Sequence, residues 1–76
     1  MHNVTVYSTP TCPYCIRVKG YLSQIGIAYA NIDVSADKDG LEKMVNISGQ
    51  MGVPVIDIDG QIVVGFDKDK IDKLLA

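Results

Sequence analysis

Thr11-Cys12-Pro13-Tyr14-Cys15 is the stretch that decides the fold of this chain, because it lies where a predicted β-strand gives way to a predicted α-helix. Its two cysteines are the only ones in the sequence. Two thiols separated by two residues at a strand-to-helix turn are typical of a thiol–disulfide exchange centre. The sequence therefore predicts a small scaffold that holds a redox-active cysteine pair at its surface.

Length and composition indicate a single domain over residues 1–76. The chain is 47% apolar and 21% charged, which is ordinary for a globular protein. It has no run of about 20 apolar residues that could span a membrane, and its first residues lack the basic head and apolar segment of a signal peptide. A net charge of −2 without long basic blocks argues against nucleic acid as a partner. We therefore expect a monomeric, cytoplasmic protein without membrane contacts.

The cysteine pair has other possible uses than redox chemistry. One is a purely structural disulfide. Such a bond across two intervening residues closes a very small loop and removes little entropy from the unfolded chain, so it would stabilise the fold only weakly. A structural zinc site needs four ligands, and His2 is the only other good candidate in the sequence. An iron–sulfur cluster or metal carried through Cys12 and shared between two chains stays open as an alternative. We interpret the pair as redox-active and expect no tightly bound cofactor.

Periodicity and turn signals predict the element order β-α-β-α-β-β-α, which is an α/β fold. Residues 3–7 are β-branched and aromatic, as in a strand. The first helix begins at Pro13, where a missing N–H costs nothing, with Cys12 as its N-cap. Gly26 is expected to end it. Its predicted core face carries four residues, Cys15, Val18, Leu22 and Ile25.

The second half of the chain completes the predicted sheet. Residues 28–34 alternate as a strand, and a strand–helix–strand crossover makes the first two strands parallel. Asp59-Gly60 is a strong hairpin signal, so the last two strands are antiparallel. A second helix is predicted to begin after the N-cap Ser35 and to end at Gly49, and Gly40 inside it lowers its helix propensity. Two strands are predicted over residues 53–58 and 61–64. A last helix follows, with Asp67 as its N-cap.

The two thiols are expected to differ in acidity. Cys12 faces the unpaired N–H groups and the positive end of the first helix, both of which favour the thiolate. Cys15 lies on the apolar side one turn later and should keep its proton. We therefore predict that Cys12 attacks the substrate and that Cys15 resolves the mixed disulfide. Pro13 stiffens the turn between them, and Lys19 is interpreted as a solvated lysine.

With these elements in place, the chain resembles a small bacterial glutaredoxin with the thioredoxin fold. The resemblance covers nearly the whole chain, and it rests on Val6-Tyr7-Ser8, Cys12-Pro13-Tyr14-Cys15, Arg17 and Lys19, Val53-Pro54, and Gly65-Phe66-Asp67. It implies a four-stranded mixed sheet flanked by three helices. It also implies a thiol–disulfide oxidoreductase that uses glutathione as co-substrate and disulfide-containing proteins as clients.

The resemblance also implies the ligand contacts. In this family the bond corresponding to Val53-Pro54 is cis, and the backbone of the valine pairs with the cysteine of glutathione. The tyrosine corresponding to Tyr14 contacts glutathione, and the turn before the last helix receives its γ-glutamyl end. The implied substrate or glutathione contacts are Thr11, Pro13, Tyr14, Val53, Pro54, Gly65, Phe66 and Asp67.

Three departures from the family pattern matter for glutathione, and two of them, at Thr9 and Lys68, weaken the expected charged contacts. Thr9 stands where many members have a lysine, Gly52 where they have threonine, and Lys68 where they have an acidic residue. Asp67, one position earlier, is a candidate to bind the amine of glutathione instead. Glutaredoxin-like electron donors of ribonucleotide reductase also lack such contacts and are reduced by thioredoxin reductase, although their active-site tetrad and last loop differ. That donor stays open as the alternative.

Overall fold

The predicted element order is confirmed by the structure, a computed structural model that describes residues 3–75. His2, the candidate metal ligand of the sequence, lies outside the described residues. The seven elements are β1 (Val4–Ser8), α1 (Pro13–Gln24), β2 (Ala30–Asp33), α2 (Lys38–Ser48), β3 (Val55–Ile58), β4 (Gln61–Val64) and α3 (Lys68–Leu75).

The four strands form one mixed sheet in the order β2-β1-β3-β4. β1 and β2 are parallel, as the helical crossover between them requires. β3 runs antiparallel to β1, and β4 runs antiparallel to β3. The tight turn between the last two strands is possible because Asp59 and Gly60 both adopt positive φ, 52° and 89°. The predicted α/β class and mixed sheet are therefore confirmed.

Helices cover both faces of the sheet. Alternate residues of β1 point to opposite faces, so Val6 packs with α1 and α3 while Tyr7 packs with α2. Burying one such apolar side chain stabilises the fold by about 1.5–3 kcal/mol. The first core cluster is Val4, Val6, Val18, Leu22, Ile56, Ile58, Val63 and Ile71, and the second is Tyr7, Val34, Met44 and Val55.

Two expectations about the first crossover are wrong. Ile25 is 42% exposed, because α1 ends at Gln24 and Ile25 is its C-cap, so it no longer continues the buried face. The second strand begins at Ala30 rather than at residue 28. Ala30 is exposed, and the side chains of Ile27 and Tyr29 pack against the core instead.

The N-cap predicted for α2 is also wrong. Asp37 caps this helix, with its Oδ1 accepting a hydrogen bond from Gly40 N at 3.0 Å. Ser35 instead donates to the Asp33 carboxylate. The close packing of α2 on β2 explains Gly40, since a Cβ there would lie 2.5 Å from Ile32 Cγ2. The glycine that weakens the helix in isolation thus lets it approach the sheet.

Candidate active site

The loop between β1 and α1 is anchored at both ends. At the end of β1 the buried Ser8 hydroxyl donates a hydrogen bond to Asn31 Oδ1 of β2 at 2.7 Å. At the other end Cys12 N donates to Thr9 O at 3.4 Å. Cys12 has extended backbone angles and is the N-cap of α1, and Pro13 is the first helical residue, as predicted. The loop therefore presents Cys12 at the positive end of the helix.

The Cys12 sulfur is held by donors that favour its ionised form. Its Sγ accepts a hydrogen bond from Cys15 N at 3.3 Å and lies 3.8 Å from Val53 O. Partial burial on its own raises the pKa of this thiol. Hydrogen bonds from the Cys15 thiol and from the N–H groups of Cys15 and Tyr14, together with the charge of Lys19, outweigh that burial and lower the pKa of Cys12 below its ordinary value.

Cys15 has the opposite environment. Its side chain is fully buried between α1 and the sheet. Desolvation, the hydrogen bond to Cys12 and the nearby Cys12 charge raise the pKa of the Cys15 thiol to about 11. Both cysteines are free thiols in this structure. The predicted contrast between an acidic, accessible thiol and a buried, protonated one is present, although the half-buried Lys19 acts on both thiols rather than being only a solvated side chain.

A second loop, which leads from α2 into β3, lies beside Cys12, with Val53 O 3.8 Å from Cys12 Sγ. The Val53-Pro54 peptide bond is cis, as the family resemblance implies. Pro54 O accepts a hydrogen bond from Gly65 N at 2.8 Å. The chain segment beside the reactive sulfur is thereby joined to the turn before α3, and three of the segments proposed from the sequence meet in one place.

The turn before α3 lies against α1. Gly65 has a φ of 77°, which favours glycine. The Phe66 ring packs on Tyr21 of α1, with ring centroids 5.9 Å apart. Asp67 caps α3 as predicted, since its Oδ1 accepts a hydrogen bond from Lys70 N at 3.2 Å. This cap engages one oxygen of the carboxylate that the sequence offered as a partner for an amine.

A protein-family profile for glutaredoxin matches residues 4–63 of the chain. The chain belongs to the glutaredoxin family. Membership supports a thiol–disulfide redox role, and it agrees with a cysteine pair placed at a helix N-terminus beside a cis proline.

Individual glutaredoxins and relatives cover most of the chain. It is 49% identical over 72 residues to an uncharacterized glutaredoxin-like 8.6 kDa protein in the rubredoxin operon of Clostridium pasteurianum, covering 95% of this chain and 96% of that protein. The crystal structure of a glutaredoxin from Archaeoglobus fulgidus aligns with a TM-score of 0.89 and 30% identity, covering 99% and 87% of the two chains. A buckwheat glutaredoxin–glutathione complex aligns with a TM-score of 0.78 and 30% identity, covering 97% and 74%. These neighbours share the thioredoxin fold.

Sequence reasoning missed a polar contact beside the glutaredoxin turn. The Tyr21 hydroxyl of α1 donates a hydrogen bond to Asp72 of α3. Lys68 Nζ lies 3.5 Å from Asp72 Oδ2 and 5.3 Å from the centre of the Tyr21 ring. The hydrogen bond to Asp72, followed by desolvation, raises the pKa of Tyr21. The spacing of Lys68 and Asp72 is a visible i,i+4 signal, but nothing local in the sequence indicates the contact to Tyr21.

The remaining candidate residues of the glutaredoxin site are exposed. Thr11 and Pro13 are on the surface, and Tyr14 is 58% exposed with the Arg17 guanidinium carbon 5.6 Å from its ring centre. Within residues 3–75 no three His, Cys, Asp or Glu side chains are grouped so that they could hold a metal ion. No helix in that range is long and apolar enough to cross a membrane.

Proposed function

We propose that this protein is a glutathione-coupled thiol–disulfide oxidoreductase that reduces protein disulfides or glutathione mixed disulfides in the cytoplasm. One observation carries the proposal: the accessible Cys12 sulfur, whose pKa is lowered, accepts hydrogen bonds from a buried Cys15 whose thiol keeps its proton. Exchange requires a thiolate to attack and a second thiol to resolve. The site supplies the attacking thiolate as the accessible Cys12 and the resolving thiol as the buried Cys15.

The reaction proceeds in two exchanges that balance in atoms and electrons. The Cys12 thiolate attacks one sulfur of the substrate disulfide, forming a mixed disulfide and releasing the other sulfur as a thiolate that takes up a proton. Cys15 then loses its proton and attacks Cys12 Sγ, releasing the second substrate sulfur as a thiol. The substrate disulfide has gained two electrons, and the protein holds a Cys12–Cys15 disulfide. Two glutathione molecules restore the dithiol and leave as glutathione disulfide.

Three features support glutathione as the reductant. The Val53 carbonyl lies 3.8 Å from Cys12 Sγ, where an extended thiol peptide can reach both the sulfur and the loop backbone. The Gly65 turn is joined to this loop by the hydrogen bond to Pro54. The buckwheat glutaredoxin, which shares the fold, has been solved with glutathione. We propose that Thr11, Pro13, Tyr14, Val53, Pro54, Gly65, Phe66 and Asp67 contact the bound tripeptide or the substrate.

One observation favours a second candidate, in which thioredoxin reductase is the electron donor. Asp67 already caps α3, and Lys68 places a positive charge beside the turn where the amine of glutathione is proposed to bind. Both features weaken recognition of that amine. The exchange chemistry at Cys12 is unchanged in this candidate, and only the source of electrons differs.

The decisive experiment compares two reductants on one protein preparation. NADPH oxidation is followed with glutathione and glutathione reductase, and separately with thioredoxin reductase. Glutathione coupling predicts turnover in the first assay and little in the second. The reverse result would assign the protein to the second candidate.

Cysteine variants test the roles of the two thiols. Cys12→Ser should abolish all activity, because no attacking thiolate remains. Cys15→Ser should still reduce glutathione mixed disulfides, since a second glutathione can release Cys12 in place of Cys15. Equal loss of that activity in both variants would exclude the glutathione route.

A further inference from the structure

We propose that the outer face of α1, defined by Pro13, Ile16, Arg17 and Gly20, docks an acidic segment of the client protein next to its disulfide. This inference rests on the proposed thiol–disulfide function and names the kind of client that suits the site. All four residues are exposed, and they lie on the side of the helix opposite its buried face. Cys12 is at the N-terminal end of the same face.

The charge distribution of the chain singles out this helix. Arg17 and Lys19 are the only charged residues of α1, so this helix carries a charge of +2. The net charge of the whole chain is −2, and the residues outside α1 therefore carry −4. Residues 1–32 contain no aspartate or glutamate, so all nine acidic residues of the sequence lie between Asp33 and Asp72. The helix that presents Cys12 is thus positive within a negative protein. Such a helix attracts an acidic partner.

The same face exposes apolar area beside the reactive sulfur. Ile16 is 58% exposed, although it directly follows the buried Cys15. Tyr14, also 58% exposed, borders the face, and the Arg17 guanidinium lies over its ring. A tyrosine ring with a guanidinium beside it is a combination of residue types enriched at protein–protein contacts, and Ile16 adds exposed apolar area next to them.

Gly20 supplies an independent observation. It lies in the middle of α1 and is exposed, and a Cβ built on it meets no atom within 4 Å. Glycine is among the least favourable residues in a helix interior. Unlike Gly40, which β2 approaches closely, Gly20 has no packing reason inside the described chain. It does leave a shallow notch one turn after Ile16, into which the backbone of a partner can pack.

Charged disulfide peptides test the proposal directly. Three synthetic peptides with the same intramolecular disulfide carry a short run of Asp, Asn or Lys beside it. Pre-reduced protein is mixed with each in a single-turnover assay, so no external reductant enters the measurement. The Asp peptide should be reduced roughly tenfold faster than the Lys peptide at low salt, and the difference should shrink as ionic strength rises from about 0.01 M to about 1 M. Equal rates for the three peptides would overturn the proposal.

Two pairs of variants locate the effect on α1. Gly20→Gln fills the notch with a good helix former, so it should fold at least as stably as the wild type while slowing the Asp peptide several-fold. Its rate with hydroxyethyl disulfide, which is too small to span the face, should not change. Arg17→Gln should reduce the ratio of the reduction rates of the Asp and Lys peptides. The control Lys43→Gln removes the same charge from α2, on the opposite face of the sheet, and should leave this rate ratio unchanged.

Other outcomes would each refute the docking surface. If Gly20→Gln left the Asp peptide unaffected, or slowed hydroxyethyl disulfide equally, the face would play no part in docking. If the wild type sedimented as a dimer and Gly20→Gln as a monomer, a second copy of the chain would occupy it. Failure of glutathione coupling would not alter these single-turnover rates, so the proposed reductant and the docking surface can fail separately.

Discussion

The acidity contrast between the two thiols can be tested by alkylating the reduced protein at different pH values. With a pKa of about 11, the Cys15 thiol is ionised in about one molecule in ten thousand at pH 7, against about 3% for an unperturbed cysteine of pKa about 8.5. Ionisation alone therefore slows Cys15 by roughly 300-fold relative to free cysteine. Cys12, whose pKa is lowered, should react faster than free cysteine at the same pH, because more of it is thiolate.

The assay is a short pulse of iodoacetamide followed by fragmentation mass spectrometry, which assigns the label to Cys12 or Cys15. The Cys12 rate should level off at a lower pH than the rate of a free thiol. The Cys15 rate should keep rising about tenfold per pH unit up to the region of its pKa. That slope separates ionisation from simple shielding, since burial without a pKa change would give a slow rate with the pH dependence of free cysteine.

Cys15→Ala and Cys15→Ser form the matched controls. Both remove the competing thiol, but serine keeps a side-chain donor near Cys12 Sγ and alanine does not. The Cys12 pKa should therefore be higher in the alanine variant than in the serine variant, because a charged acceptor loses one of its donors. The explanation fails if both cysteines of the wild type are labelled at the rate and with the pH dependence of a small-molecule thiol.

Three further predictions concern stability and the turn before α3. Gly40→Ala should destabilise the protein by about 1 kcal/mol, because overpacking against Ile32 costs about 1–3 kcal/mol and the higher helix propensity of alanine returns about 1 kcal/mol. Gly20→Ala should stabilise the protein by about 1 kcal/mol, because the added Cβ meets no neighbour. Thermal melts of the two variants should therefore shift in opposite directions by about 4–8 °C. Tyr21→Phe removes the hydrogen bond to Asp72, so it should lower the melting temperature and raise the KM for a glutathione mixed disulfide without moving the pH profile of alkylation. The folded-state pKa of Cys15 is raised to about 11, above the value of about 8.5 for a cysteine in the unfolded chain. The protonated Cys15 thiol therefore contributes its full share of the stability below about pH 8.5, and this share is lost as the pH rises toward 11. Urea unfolding midpoints should fall over this range for the reduced wild type but not for Cys15→Ser.

Local sequence signals were sufficient for the element order and for the acidity contrast between the two thiols. The β-branched run of β1, Pro13 at the first helical position and the Asp59-Gly60 turn are each signals of a few residues, and each appears in the structure as predicted. The contrast between Cys12 and Cys15 is also local, because it follows from one position at a helix end and one position a turn later.

Features set by distant contacts could not be predicted in this way. Ser35 and Asp37 are both good N-cap residues, and the choice of Asp37 depends on where α2 lies against Ile32 of β2. The hydrogen bond from Tyr21 to Asp72 joins residues 51 positions apart. The cis bond before Pro54 was implied only by the family resemblance, since about 5–6% of such bonds are cis in folded proteins.

In the mechanism that we propose, the causes of the Cys15 pKa explain how a buried thiol can resolve the mixed disulfide. Desolvation raises that pKa first, and the hydrogen bond to Cys12 and the Cys12 charge raise it further, while the Thr9 backbone and the Lys19 charge lower it. Once Cys12 Sγ is bonded to a substrate sulfur it carries no charge, and two of the three causes that raise the pKa are removed. The contributions of Thr9 and Lys19 remain. Cys15 therefore becomes more acidic when Cys12 has captured a substrate, so the thiol that is protected in the resting dithiol is activated at the step that needs it.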